Sequence, residues 1–186
     1  MRNRIAFLST HVGSLCRAAL TGSVLLLGLT MFTHGAAAQV ACPQANSGGA
    51  PVVHNQHIFC GEINGAGRAT GFHSRPGGVN PATVTNTPAP VPRAPAGVYN
   101  LSNFNITQGG VTAQKAISTM FPDACSQANV IAAIQNAVNN ATAGGHGAGQ
   151  FQGPSGASCQ AGAPLASFVI TGYLDGHGEV ITAWPQ

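Results

Sequence analysis

Residues 57–78 read HIFCGEINGAGRATGFHSRPGG, a glycine-rich turn with a histidine placed outside it on either side. Residues 57 to 63 and 67 to 73 can pair as antiparallel strands across Asn64, Gly65 and Ala66. In that register His57 faces His73, Glu62 faces Arg68 as a charge pair, and Ile58 faces Phe72 on the opposite side of the pleat. Directly opposed residues have Cβ atoms roughly 4.5 to 5.5 Å apart, so the two imidazoles would flank one small group. A two-residue turn at Asn64 and Gly65 would slip the register by one residue and put the histidines out of line.

Upstream, Arg2, Arg4 and Arg17 precede the apolar run AALTGSVLLLGLTMF, which is followed by THGAAAQ. That order reads as a secretory signal peptide over residues 1–38, with a retained N-terminal anchor as the alternative. The apolar run is too short for a confident membrane span, so no stable membrane insertion is expected once the leader is removed. Three of the seven Lys and Arg residues lie in the leader, which leaves four cations against four acids. A body this close to neutral argues against broad, salt-dependent binding of nucleic acid. It leaves room for a small enzyme with a local site. Cys16 departs with the leader, and Cys42, Cys60, Cys125 and Cys159 remain. An even count in an exported chain points to two disulfides, with three connectivities open. The compartment is then extracellular or periplasmic.

Residues 39–52 are small and polar and read as a flexible lead-in to a domain spanning 53–186. Residues from about 76 to 97 are rich in Pro and Gly and read as an irregular connector. GVYNLSNFNIT suits a strand. In CSQANVIAAIQNAVNN, Val130, Ile134 and Val138 fall at steps of four, beside Ile131, which predicts a helix capped by Ser126. Residues from about 139 to 164 are rich in Gly, Ala and Gln and read as a mobile insertion. SFVITGYLDGHGEVITAWPQ is two β-prone runs about a turn at Asp175 to Gly178, a hairpin. Strands and one helix that do not alternate as βαβ units predict an α+β domain of small antiparallel sheets.

Two histidines that can give and take protons near neutrality fit metal-free acid–base chemistry on a phosphodiester. The bland alternative is a pair of strand histidines making surface hydrogen bonds. A metal site drawn from His54, His57, Cys60 and His73 is the chemical rival, but a disulfide would claim Cys60 and no carboxylate completes the cluster. No metal or cofactor is therefore expected.

The stretch at 57–78 resembles the bacterial EndoU nuclease pattern, in which HIF.GE.N..G.A.GFH carries both active-site histidines. STMFPDACSQANVIAAIQNAV resembles that family's FPD step into a helix, and FVITGYLDGHGEVITAWP resembles its closing hairpin. The resemblance implies an EndoU/barnase-like nuclease fold and an endoribonuclease acting on RNA. Cleavage by His57 and His73 would leave a 2′,3′-cyclic phosphate, with the second histidine leaning toward base and the first toward acid. Thr171 and Tyr173 in ITGYL match a Thr-x-Tyr pair that stabilises phosphate or touches base or sugar, and their spacing puts them on one face of a strand. Gly71 and Arg75, inside and just beyond the first motif, are candidate substrate contacts. The resemblance also implies an antibacterial toxin with a cognate immunity protein as partner. Several members of the wider group use a catalytic lysine. None stands in the terminal motif here, and Lys115 is isolated in the sequence. The rival class is an exported binding or envelope protein that kept the fold and lost the activity.

Overall fold

The computed structural model describes residues 39–142 and 147–186; the signal peptide read over residues 1–38 lies outside them. Their architecture is α+β, with one α-helix and three antiparallel sheets. In chain order the elements are β1 (Glu62–Ile63), β2 (Ala69–Thr70), β3 (Val84–Thr85), β4 (Val91–Pro92), β5 (Tyr99–Gln108), β6 (Val111–Met120), α1 (Gln127–Asn139), β7 (Gln150–Pro154), β8 (Val169–Leu174) and β9 (Val180–Pro185).

The first hairpin departs from its expected register. Only two residues pair on each side, Glu62 with Thr70 and Ile63 with Ala69. The turn is wider than expected because Asn64 organises it: its backbone N–H donates to Arg68 O at 3.0 Å, and its Oδ1 accepts from the N–H groups of Ala66 and Arg68. Glu62 and Arg68 are therefore not opposed. Ile58 and Phe72 do not pair either, because Gln56–Cys60 forms one π-helical turn instead of a strand. Ile58 is buried in one apolar cluster and Phe72 in another.

The longest hairpin, β5–β6, is built on Gly109 and Gly110, both at positive φ (58° and 81°), as a two-residue turn requires. On its other edge β5 pairs with β3 and β4, so the Pro-rich connector contributes two short strands. Phe72, Leu101, Phe104, Ile106 and Met120 are fully buried in this sheet's apolar cluster. The second layer is α1 against β7–β8–β9. Ser126 caps α1 by accepting from Asn129 N–H at 3.2 Å, and the helix buries Val130, Ala133, Ile134 and Ala137.

Two segments read as loose are built into this layer. The stretch at 139–164 supplies β7, which pairs along β8 and buries Phe151; Cys159 bonds to Cys125. Gly153 is a packing requirement there, since a Cβ on it would lie 2.0 Å from Ala137 O of α1. The lead-in at 39–52 is pinned by a disulfide between Cys42 and Cys60, by burial of Val40, and by Gln44 N–H donating to Gln56 Oε1 at 2.8 Å.

Candidate active site

His57 and His73 meet, though not as strand partners. The π-helical turn docks on residues 72–74: Phe72 N–H donates to His57 O at 2.7 Å, while the N–H groups of His73 and Ser74 donate to Ile58 O at 2.8 and 3.1 Å. Gly71 permits the approach. It sits at φ 71°, and a Cβ there would lie 2.3 Å from His57 O and 3.0 Å from its ring. The imidazoles end with centroids 5.9 Å apart and planes 28° from parallel.

Their surroundings are opposite in kind. His73 is buried, and its Nδ1 lies 3.0 Å from both Thr119 O and Ser118 Oγ. A backbone carbonyl can only accept, so Nδ1 carries the proton and Nε2 keeps its lone pair. Ser118 Oγ donates in turn to Phe72 O at 2.6 Å, which leaves its own lone pairs for the imidazole. Burial, helped by the nearby charges of Lys115 and His57, pushes the His73 pKa down to about 3. His57 instead donates from Nδ1 to the Glu62 carboxylate at 3.2 Å. That bond, more than the partly opposing burial, holds the Glu62 carboxyl below its ordinary pKa. One imidazole is thus held neutral and the other is hydrogen-bonded to a carboxylate.

Both rings line a cleft of about 440 Å³, which also receives Arg93, Lys115, Ser118 and Trp184. Lys115 comes from the middle of β6, and burial lowers its pKa. Arg93 donates to Thr119 Oγ1 at 3.2 Å. A buried imidazole with a free lone pair, an imidazole on a carboxylate and two cations in one cleft are groups that can accept a proton, donate one and attract an anion. A larger depression of about 600 Å³ between residues 39–44 and the start of α1 has Asp123 as its one ionisable lining group, and Asp123 is already paired with Arg75.

The family model for bacterial EndoU nucleases matches residues 52–186, which hold every helix and strand named above. The chain belongs to that family. It is a nuclease, and a nucleic acid is its substrate class. No curated protein and no solved structure matches the chain.

In this EndoU nuclease the remaining sequence candidates divide. Gly71 lines the cleft beside the histidines. Arg75 does not; its Nε donates to Tyr99 Oη at 2.6 Å and its guanidinium pairs with Asp123 at 3.3 Å and lies over the Tyr99 ring. An arginine just after a site motif is here a strut between the motif and the start of α1. Thr171 is buried, accepts from Gln152 Nε2 at 3.3 Å, and stands opposite Trp184 in the β8–β9 ladder. Tyr173 is exposed, opposite Thr182, with its ring 5.9 Å from Trp184. Both lie beside the cleft, one strand away from its lining residues Thr182 and Trp184.

The rival metal set comes apart, since Cys60 is in a disulfide and His54 bonds to Glu179 at 2.9 Å. Arg93, Lys115 and Trp184 are among the cleft residues the sequence did not single out. Lys115 could have been reached through the Gly109–Gly110 pair, which marks a hairpin whose second strand carries it. Trp184 offered no comparable signal, because its place beside His73 depends on how two sheets meet.

Proposed function

We propose that this nuclease is an exported endoribonuclease that cleaves RNA by metal-free transesterification, with His73 as general base and His57 as general acid. The observation that carries the reading is the contrast between the imidazoles: one is neutral with Nδ1 committed to Thr119, the other is seated on Glu62. His73 Nε2 takes the proton of the 2′-hydroxyl and the 2′-oxygen attacks phosphorus. The bond from phosphorus to the 5′-oxygen breaks as His57 protonates that oxygen. The products are a 2′,3′-cyclic phosphate and a free 5′-hydroxyl.

Lys115 and Arg93 supply positive charge for the phosphoryl oxygens, the role the sequence left without a lysine. Thr171 and Tyr173 support the same cleft from the adjoining strand. A base with so low a pKa is weak in the free enzyme, but a bound phosphate offsets Lys115 and raises the proton affinity of His73 at the moment it is needed. Two disulfides, and the lack of any helix among the described residues long and apolar enough to cross a membrane, agree with a secreted or periplasmic protein. An exported nuclease fits an antibacterial toxin held in check by an immunity protein.

Labelled RNA incubated with the protein in a strong chelator tests the chemistry. Cleavage should persist, and His57→Ala and His73→Ala should each remove most of it while leaving the fold intact. The double variant should be scarcely worse than either, because groups acting as a unit are not additive. Cleavage of a substrate with 2′-deoxyribose at the cut site would refute the mechanism.

A further inference from the structure

The sequence contains four acidic side chains, Glu62, Asp123, Asp175 and Glu179. Two of them have partners of their own, since Glu62 accepts from His57 and Asp123 pairs with Arg75. The other two converge. Asp175 and Glu179 stand at the two ends of the β8–β9 turn, and one oxygen of each lies within 4.8 Å of the other and of His54 Nε2. Among the described residues no lysine or arginine pairs with either carboxylate, and Glu179 has only the imidazole, at 2.9 Å. A chain this sparing of charge gathers half its carboxylates around one histidine, where like charges repel unless a cation joins them.

Backbone hydrogen bonds hold the three residues in place. Asp175 N–H donates to Glu179 O at 2.9 Å, and Asp175 Oδ1 accepts from the N–H groups of His177 and Glu179 at 2.8 and 2.9 Å, so the turn closes on that carboxylate. Its Oδ2 takes no part in those bonds. His54 comes from a distant part of the chain. Val53 lies beside Val180 in a parallel bridge, with His54 N–H donating to Val180 O at 2.9 Å and Val180 N–H donating to Val52 O at 2.8 Å. The side chains of His54 and Glu179 are 30% and 36% exposed, which gives an ion a route in and leaves room for water.

We propose that His54, Asp175 and Glu179 form a zinc site that clasps the β8–β9 turn to the segment leading into the π-helical turn. One imidazole nitrogen and two carboxylate oxygens are donors that zinc accepts, with water or the exposed His177 in the fourth position. Ligands of a tetrahedral zinc, each about 2.0 to 2.2 Å from it, stand roughly 3.4 Å apart, so three atoms already within 4.8 Å need little movement. The imidazole argues against calcium and magnesium, whose ligands are oxygens. Zinc displaces the proton that His54 Nε2 shares with Glu179, and its two charges offset the two carboxylates. None of the three residues lines the cleft, so the ion takes no part in cleavage. Its effect is to stabilise: it joins a residue three positions before His57 to the turn between β8 and β9.

The test uses the oxidised protein, stripped with a chelator, dialysed and titrated with zinc chloride alone. Isothermal titration should find one ion per chain. At about 100 times Kd, zinc should raise the thermal midpoint by about 5 to 11 °C, and calcium or magnesium at the same concentration should leave it in place. His54→Gln and Asp175→Asn should each weaken zinc binding at least about 10-fold, because changing a group that merely supports a ligand already costs that much. Both variants should unfold in urea as cooperatively as the wild type when all are metal-free, which separates a lost ligand from a lost fold. The double variant His57→Ala/His73→Ala, with both cleft imidazoles gone, should bind zinc as the wild type does. Zinc binding that is unchanged in His54→Gln, lost in the cleft double variant, or absent from the wild type would overturn the proposal. Every readout is made without RNA, so the zinc site and the nuclease reading stand or fall separately.

Discussion

Replacing Gly71 with alanine should disable the site from a position that carries no chemistry. At φ 71° an alanine is in the left-handed region, at a cost of about 1 to 2 kcal/mol. The added Cβ would also stand 2.3 Å from His57 O, well inside the 3.4 Å at which ordinary contact begins, and 3.0 Å from the ring. Relief takes a displacement of roughly 1 Å. His57 O accepts the Phe72 N–H at 2.7 Å, so the displacement separates the π-helical turn from the extended segment that carries His73. A misplacement of about 1 Å at a catalytic group costs on the order of 100-fold in rate. With the strain included, the stability loss should be about 2 to 4 kcal/mol. The assay is kcat/KM on labelled RNA beside a urea unfolding curve. Gly65→Ala is the control, since nothing lies within 4 Å of a Cβ there. A Gly71→Ala enzyme within about threefold of wild type would refute the claim that this glycine sets the imidazole pair.

Three further outcomes follow from the electrostatics and the covalent links. Lys115→Met removes a charge that keeps His73 proton-poor, so the acidic limb of the kcat/KM profile should move to higher pH while kcat falls about 100-fold to 1,000-fold; an unmoved limb would separate Lys115 from His73. Because His73 has a folded pKa of about 3 against 6.5 unfolded, the unfolded state binds its proton first as pH falls. Stability from this group is complete above about pH 6.5 and is lost toward pH 3, by up to about 5 kcal/mol; denaturant curves from pH 7 to 4 should show a shallower decline in His73→Gln than in wild type. Thiol titration in denaturant without reductant should find no reactive group among Cys42, Cys60, Cys125 and Cys159, and reduction should cost about 3 to 4 kcal/mol per bridge, read as a lower urea midpoint.

Much of the fold was legible where local chemistry and final position agree. The helix with its Ser126 cap and the hairpin turning at Asp175 to Gly178 both declared themselves through periodicity and turn residues. Two of the misses share a cause. High glycine and alanine content reads as a mobile insertion, yet Gly153 is small because α1 crosses it, and Phe151 on the same strand is core. Likewise VTAQKAISTM shows little alternation because much of β6 is exposed, and only its pairing along the length of β5 makes it a strand. A sequence displays what a residue is made of. Whether a small residue marks freedom or a close approach is decided by the element that packs on it.

The site shows the same division more sharply. The motif brings two histidines into one short stretch, and the structure brings their rings together despite a register and a backbone conformation unlike the expected hairpin. What separates their roles comes from elsewhere in the chain. His73 is held neutral by burial among elements that include β9 and its Trp184 and by the charge of Lys115 on β6, while Thr119 and Ser118 at the end of β6 fix which nitrogen carries its proton. His57 takes its character from Glu62, five residues away. The environment of His57 is therefore local and could be written into the motif itself. The environment of His73 is tertiary, so a chain that kept the motif but repositioned β6 would keep both histidines and lose the difference between them.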